Sequence, residues 1–262
     1  MTYPFRISAS QINAFIECPS SWLLRYHYGY KATWTNKMKR GTAFEDKVNL
    51  FLTSGSTLED VTFDLKPEET EAALEASKII KDIYRTKLCD KVYSQEDFKL
   101  QYKLVTDDKI GYLDYYSPKH IIDLKTTDKT LKYLKPMNMR QMAFYRSFYD
   151  KYDKDFVPHL TLFQVVLLKK EIRFIIWSTC GKVLEKLVNK VYGVNIITEE
   201  QINKARLQNE NAIRALKILQ RNRDYINAIP VNADHYMMQG FDDGVVDRML
   251  VGDLPVKTYS SV

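Results

Sequence analysis

Two aspartates and a lysine occur close together between positions 111 and 126, where the sequence predicts two strands joined by a short turn. The run Ile121–Lys125 has the composition of a strand, yet it contains Asp123 and Lys125 among its apolar residues. Because side chains alternate across a strand, the two charged groups share one face of it. Charges in such a place are costly unless they are paired or bind a metal ion. They are therefore the first candidates for chemistry.

The preceding strand supplies a second carboxylate. Residues 109–116 also have strand composition, and Ser117–His120 has a proline at the second position of a turn. If this turn has a two-residue loop, Asp114 lies directly opposite Asp123. Two carboxylates about 5 Å apart repel unless a cation lies between them, and Mg²⁺ prefers such oxygen ligands. The alternative is a structural salt bridge of Lys125 on a solvated hairpin face.

Two helices would complete this cluster. Residues 37–40 read as a basic loop, and residues 41–52 have the apolar spacing of an amphipathic helix. Either Glu45 or Asp46 can supply a third carboxylate, although the helix macrodipole alone also favours acids in a first turn. After the hairpin, Gln141 and Tyr145 lie one turn apart on a predicted helix. The glutamine either has a buried hydrogen-bond partner or lies at the edge of the helix in water.

The remaining pattern predicts an α/β (α+β) fold with a central mixed sheet of about five strands flanked by helices. We expect a core domain over residues 1–178 and a mainly helical C-terminal extension over residues 179–262 that packs on it. The basic residues of the last long helix indicate either a phosphate-binding surface or a solvated face. The other predicted elements are a strand at 98–105, a hairpin at 159–168 and 171–178, helices at 67–87, 179–192 and 202–226, and an irregular segment from 230.

Composition excludes several classes. With 262 residues, 45% hydrophobic and 27% charged, the chain is typical of a globular protein. It has no apolar run long enough to span a bilayer and no signal-peptide pattern, and its three cysteines fit a reducing compartment, so we expect an intracellular protein. The net charge of +6 is compatible with nucleic-acid binding. The large aromatic side chains of residues 22–34 are expected to pack in the core rather than to stack on nucleic-acid bases.

The motifs together resemble the PD-(D/E)XK nuclease superfamily, and more closely its RecB-type exonuclease branch, which includes the mitochondrial genome maintenance exonuclease. The resemblance extends over about residues 7–149. It is carried, in order, by Ser8–Asn13 with Cys18-Pro19, Gly41–Glu45, Gly111-x-x-Asp114, Asp123–Thr126 and Gln141-x-x-x-Tyr145.

This resemblance implies a restriction-endonuclease-like core and a metal-dependent DNA exonuclease that acts on ends or single strands. Its expected setting is recombination, repair or replication in a bacterium or a phage-infected cell, with an organelle as an alternative. The implied roles are Mg²⁺ or Mn²⁺ binding by Glu45, Asp114, Asp123 and the Leu124 carbonyl, water activation by Lys125, orientation by Gln141 and Tyr145, and phosphate contact by Arg140.

The sequence departs from the family in two ways. RecB and AddB nuclease domains usually have histidine where Glu45 stands. Some relatives hold an iron–sulphur cluster with Cys18 and three later cysteines, but here only Cys180 follows Cys89, so we expect no cluster. Two other functions stay open, namely a structure-specific or restriction-type endonuclease and a non-catalytic nucleic-acid-binding protein on the same fold.

Overall fold

A six-stranded mixed sheet forms the centre of the protein. The computed structural model describes residues 6–53, 65–85, 98–149, 157–168, 171–185, 193–221 and 224–250. The strands are β1 (Lys99–Val105), β2 (Ile110–Ser117), β3 (His120–Thr127), β4 (His159–Leu167), β5 (Ile172–Ser178) and β6 (Gly193–Ile196). They lie in chain order, with β3–β4 and β5–β6 parallel and the other pairs antiparallel. The predicted α/β class with a mixed sheet is confirmed.

Helices cover both faces of the sheet. The helices are α1 (Ala9–Glu17), α2 (Pro19–Trp22) leading into a π-helical turn (Leu23–His27), α3 (Asn36–Thr53), α4 (Pro67–Arg85), α5 (Pro136–Arg146), α6 (Gly181–Leu184), α7 (Glu199–Arg221), α8 (Asp224–Asn227), a 3₁₀ turn (Tyr236–Met238) and α9 (Asp243–Leu250). One core contains residues of α1, α5 and α7, and the other contains residues of α3 and α4. None of the described helices is long and apolar enough to cross a membrane.

Strand β3 is buried on both faces because it lies between β2 and β4 in the middle of the sheet. Ile121 packs in the core under α1 and α5, whereas Ile122 and Leu124 pack in the core under α3 and α4. Asp123 shares a face with Ile121 and has no exposed surface. The strand therefore brings a carboxylate into the interior, against the helical layer that contains α5.

Side-chain caps define where two of the helices begin. Ser8 Oγ accepts a hydrogen bond from the Gln11 backbone N–H at 3.2 Å at the start of α1. At α7, Thr198 and Gln201 form a reciprocal capping box, with distances of 2.9 and 3.3 Å.

Three expectations need correction. The basic residues 37–40 belong to α3 rather than to a loop, because α3 begins at Asn36. The sheet gains a sixth strand, β6, between the helices predicted at 179–192 and 202–226, where four residues pair with β5. Residues 236–250 contain a 3₁₀ turn and α9, and Met238, Phe241, Val245 and Met249 are buried in the same core as α1. The predicted helix ends near 87 and 192, and Cys89, lie outside the described residues.

Candidate active site

Strands β2 and β3 of the hairpin separate at the level of Asp114 and Asp123. The β2–β3 ladder pairs Ser117 with His120 and continues to Tyr115 with Ile122, which confirms the predicted turn and register. The described ladder ends there, and Asp114 and Asp123 occupy the next position of the same register. Asp114 Oδ2 accepts a hydrogen bond from the Leu124 backbone N–H at 2.8 Å. A carboxylate replaces a backbone carbonyl as the acceptor, and the ladder opens where the charges gather.

A second irregularity lies at the same level, between β1 and β2. The ladder pairs Leu100 with Tyr115 and Tyr102 with Leu113, but it omits Gln101 and Asp114. Gln101 has a φ of +48°, in the left-handed region that residues other than glycine rarely occupy. Its side-chain amide donates a hydrogen bond to Glu45 Oε1. Such distortions re-aim side chains and are frequent next to active sites.

Asp123 is held from two sides. Its Oδ1 accepts a hydrogen bond from Gln141 Nε2 at 3.0 Å, and its Oδ2 lies 2.6 Å from Lys125 Nζ. The contact with Lys125 is an ion pair without regular hydrogen-bond geometry. A buried carboxylate is thus oriented through one oxygen, while its other oxygen faces only the ammonium group among the described residues.

Lys125 lies between the two aspartates. Its Nζ is 3.9 Å from Asp114 Oδ2 and donates a hydrogen bond to the Leu124 carbonyl oxygen at 3.3 Å. Burial lowers the pKa of Lys125, but the charges of Asp123 and Asp114 outweigh burial and raise this pKa above its ordinary value. In this arrangement Lys125 is an ammonium group at neutral pH.

The carboxylates of Asp114 and Glu45 are shifted in the opposite sense. Burial, followed by the charges of Asp123 and Glu45, raises the pKa of Asp114 well above its usual range. Burial also raises the pKa of Glu45, against the lowering effects of Lys125 and of the hydrogen bond from Gln101. The three carboxylates are therefore close enough to interact electrostatically. By contrast, the neighbouring Asp46 side chain is exposed.

Helix α5 brings Gln141 and Tyr145 to this cluster. Gln141 Nε2 donates to Asp123 Oδ1 at 3.0 Å and to the Tyr145 hydroxyl oxygen at 2.7 Å. Tyr145 is buried, and burial together with the charge of Asp123 raises its pKa above the ordinary value, so the hydroxyl stays protonated. The structure thus identifies the buried partner of the glutamine. The helical spacing of four residues is what lets one amide reach both groups.

Arg140 has a different environment from the one we expected. It is only 4% exposed, its Nε donates to Asn13 Oδ1 at 2.9 Å, and its guanidinium forms an ion pair with Glu17. Asn209 of α7 donates to the Arg140 carbonyl oxygen at 2.8 Å. These contacts tie α1, α5 and α7 together, and they correct the expected phosphate contact.

The donor chemistry of the cluster fits a hard divalent cation, because Asp114, Asp123, Glu45 and the Leu124 carbonyl all offer oxygen. The described residues contain no group of three or more His, Cys, Asp or Glu side chains already arranged as a metal site. The side chain of Gln101, the Leu124 N–H and Lys125 each engage one of these carboxylates. A cation has to compete with these internal partners.

A cleft continues from the end of β3. A Cβ at Gly41 would lie 3.0 Å from Thr126 Oγ1, so the glycine allows α3 to approach β3 closely. Lys37 Nζ forms an ion pair with Asp128 at 2.6 Å across this gap. The adjoining cavity has a volume of about 270 Å³ and is lined by Lys37, Arg40, Thr126, Thr127, Asp128, Lys135 and Leu167.

Comparison with known proteins gives one family match. A family model described as the PD-(D/E)XK nuclease superfamily matches residues 6–106, which include Glu45 and Gln101, and β2 and β3 follow the matched segment. The six-stranded mixed sheet with flanking helices is consistent with the restriction-endonuclease-like fold of that superfamily. The protein titled "Crystal structure of SSO0001" is similar with a TM-score of 0.27 and 10% identity, over 66% of this chain and 85% of that one. No curated protein matches the chain.

Proposed function

We propose that the protein is a metal-dependent nuclease that hydrolyses phosphodiester bonds in DNA. The observation that carries this proposal is the buried Asp123, held between Gln141 and Lys125, with Asp114 beside it. The two β-ladders open at this point, and burying a carboxylate and an ammonium group there lowers the stability of the sheet. The family match over residues 6–106 supports the same conclusion independently.

The proposed metal ligands are Glu45, Asp114, Asp123 and the Leu124 carbonyl. A bound Mg²⁺ or Mn²⁺ lowers the pKa of a coordinated water and stabilises negative charge on the phosphodiester. Gln141 holds Asp123 in one rotamer, and the hydroxyl of Tyr145 fixes the amide of Gln141 in turn. These hydrogen bonds keep the Asp123 carboxylate in place, and they do so without a further charged side chain.

Lys125 has two properties that suit phosphodiester hydrolysis. As an ammonium group it contributes positive charge where negative charge develops in the transition state. Its high pKa depends on Asp123 and Asp114, whereas burial alone lowers it. If those carboxylates held a cation, they would raise the pKa of Lys125 less. The neutral amine left after Lys125 released its proton to solvent would then be able to take a proton from the attacking water.

The finer part of the proposal is an exonuclease that acts on DNA ends or single strands in recombination, repair or replication, including that of a phage. It rests on the motif resemblance to the RecB-type branch. The sequence offers no base-reading motif, so we expect contacts mainly with the sugar-phosphate backbone and little sequence specificity. A structure-specific or restriction-type endonuclease is the competing function.

The test compares end-labelled single-stranded and double-stranded DNA with closed circles, with and without Mg²⁺ or Mn²⁺. Asp123→Asn and Lys125→Ala should each lower the metal-dependent cleavage rate by at least about 100-fold, because each removes a group at the reacting phosphate. Asp46→Asn is the matched control and should cleave normally. Circular dichroism spectra establish that each variant is folded.

The outcomes separate the alternatives. An exonuclease spares closed circles and an endonuclease cuts them. Binding of DNA without any cleavage in either metal would instead identify a non-catalytic nucleic-acid-binding protein. Undiminished cleavage by both Asp123→Asn and Lys125→Ala would overturn the assigned site.

A further inference from the structure

Positive charge is concentrated in two segments of the chain. Residues 31–40 and 128–135 together carry seven lysines and arginines and one aspartate, a net charge of +6. The whole chain also has a formal net charge of +6, so all its other residues are neutral in sum. Both segments are described in full. Such a local excess attracts a polyanion far more strongly than the same charge spread over the surface.

The two segments meet beside the candidate active site. Lys37 in the first turn of α3 pairs with Asp128 in the connection between β3 and α5. The cavity of about 270 Å³ between them is lined by Thr126 and Thr127, which directly follow Lys125 in β3. The cavity therefore adjoins the end of the strand that carries Asp123 and Lys125.

The same two segments carry exposed aromatic rings. The side chain of Trp34 is 53% exposed and that of Tyr133 is 74% exposed, whereas Trp22 and Trp177 are only 2% and 7% exposed. Trp34 lines a second cavity of about 240 Å³ together with Lys31 and Arg25. Rings this exposed contribute little to the core, although the aromatic composition of residues 22–34 predicted core packing for Trp34.

The loop that presents Trp34 is fixed by the fold. The Thr33 backbone N–H donates to the Gly240 carbonyl oxygen at 2.7 Å. Gly240 has a φ of +95°, and a Cβ there would lie 3.0 Å from the Thr33 carbonyl oxygen. The C-terminal segment thus holds the loop in place, and the ring of Trp34 stays exposed on an anchored backbone.

We propose that residues 31–40 and 128–135 form a binding surface for single-stranded DNA, which we call the basic aromatic surface. Bases stack on Trp34 and Tyr133, and the lysines contact the phosphates between them. Base faces are available for stacking in a single strand but are covered in a duplex, so the surface selects single strands. This inference deepens the proposed nuclease function and rests on it.

Helix α7 is the other basic surface that the sequence indicates, and it differs because its sequence contains no aromatic residue. Ion pairs occur on both surfaces, Lys217 with Asp108 at 2.7 Å and Arg206 with Glu210 at 3.7 Å on α7, and Lys37 with Asp128 at 2.6 Å on the two segments. Helix α7 therefore provides a matched control for charge without stacking.

The test measures binding of a short oligodeoxythymidylate in EDTA, where metal-dependent cleavage does not occur. Trp34 is the exposed tryptophan among the three in the chain, so its fluorescence should be quenched when a base stacks on it. Trp34→Ala and Tyr133→Ala should each weaken binding by at least about fivefold. Trp34→Phe should abolish most of the quenching and retain most of the affinity, because the ring is kept.

Two controls isolate the surface. Tyr225→Ala removes a tyrosine that is 54% exposed on α8 and should leave binding unchanged. Lys132→Ala should reduce the salt dependence of binding by about 0.7 in the log–log slope, the value for one lost phosphate contact, whereas Lys204→Ala on α7 should not. A duplex of equal length should not quench Trp34.

Unchanged affinity in both Trp34→Ala and Tyr133→Ala, or equal quenching by the duplex, would overturn the basic aromatic surface. Neither result depends on cleavage. If the protein binds the oligonucleotide as described but does not cleave DNA in Mg²⁺ or Mn²⁺, the nuclease assignment fails and the surface stands. If it cleaves DNA while the aromatic variants bind normally, only the surface is wrong.

Discussion

Gln101 has an unfavourable backbone conformation next to three carboxylates. A non-glycine residue in the left-handed region costs on the order of 1–2 kcal/mol, and here it accompanies a hydrogen bond from Gln101 to Glu45. Nothing in the sequence indicates this, because Gln101 occupies an exposed position in an ordinary alternating strand. Its role follows only from the register of β1 against β2, which omits Gln101 and Asp114 at the same level.

Gln101→Gly should separate stability from activity. Glycine relieves the backbone strain, so we expect the free energy of unfolding to stay equal or to rise by about 1 kcal/mol. The same change removes the hydrogen bond that orients Glu45, so the cleavage rate at limiting Mg²⁺ should fall about tenfold. Chemical denaturation and a Mg²⁺ titration of the cleavage rate measure the two effects.

Gln101→Asn provides the comparison, since asparagine tolerates a positive φ but has a shorter side chain. It should keep the stability of the native protein and lose part of the activity. If Gln101→Gly cleaves normally at every Mg²⁺ concentration, the glutamine does not position Glu45.

At the scale of elements, the sequence predicted the parts of the site that depend on residues close together in the chain. The turn at Ser117–His120 fixed the β2–β3 register, and the spacing of Gln141 and Tyr145 fixed their common face on α5. The parting of the strands at Asp114 could not be predicted, because it results from a side-chain acceptor for the Leu124 N–H. Strand β6 was not predicted for a different reason, since four residues that pair in parallel with the preceding strand, β5, have no local signature.

The hydrogen bonds and the ion pair of Arg140 join α5 to α1 and α7, so they form only when these helices pack together. Arg140→Ala should lower the free energy of unfolding by about 2–3 kcal/mol, because it leaves Asn13 and the partly buried Glu17 without their partner. Cleavage per folded molecule should be nearly unchanged. Urea denaturation and a cleavage assay below the transition measure the two quantities.

Arg146→Ala on the same helix is the matched control. Arg146 pairs with Glu199, whose side chain is 63% exposed, and such pairs contribute about 0–1 kcal/mol. A variant Arg140→Ala that is as stable as the native protein but binds DNA weakly would restore the phosphate contact that the buried network argues against.

A buried polar chain crosses three strands of the sheet. His120 Nε2 lies 2.6 Å from Thr161 Oγ1, which lies 2.7 Å from Ser178 Oγ, and Ser178 Oγ lies 3.1 Å from Cys180 Sγ. Burial, with a smaller effect of His159, lowers the pKa of His120 to about 3. His120 is therefore neutral in the folded protein throughout the physiological range.

This pKa makes the stability depend on pH. Between pH 3 and 6.5 the unfolded chain binds a proton at His120 that the folded protein does not, so stability rises with pH in this window and is lost as pH falls through it. One such group contributes a slope of up to about 1.4 kcal/mol per pH unit. His120→Gln cannot be protonated in this range, so its unfolding free energy should fall less between pH 6.5 and 5 than that of the native protein. Equal slopes by urea denaturation would show that His120 is not the source.

At the scale of the whole molecule, the two segments with the excess of positive charge adjoin the elements that carry the carboxylates. Residues 31–40 extend into α3, which contains Glu45, and residues 128–135 follow β3, which contains Asp123. This arrangement attracts a phosphate backbone and then requires a cation between the backbone and the carboxylates. The metal-free protein therefore carries an electrostatic cost that a bound metal removes.

Asp114→Asn tests this balance between function and stability. The raised pKa of Asp114 means that its ionisation at neutral pH costs folding free energy, since the folded protein holds that proton more tightly than the unfolded chain. Without metal, Asp114→Asn should therefore melt at the same temperature as the native protein or higher. With Mg²⁺ or Mn²⁺, the melting temperature of the native protein should rise by several degrees by mass action, whereas that of the variant should rise little because it has lost a ligand.

Asp46→Asn, which changes the same charge at an exposed position, should keep the full metal-induced gain in melting temperature. If Asp46→Asn loses that gain and Glu45→Gln retains it, the third carboxylate is Asp46, and if all three variants retain it, the metal is not bound by these carboxylates.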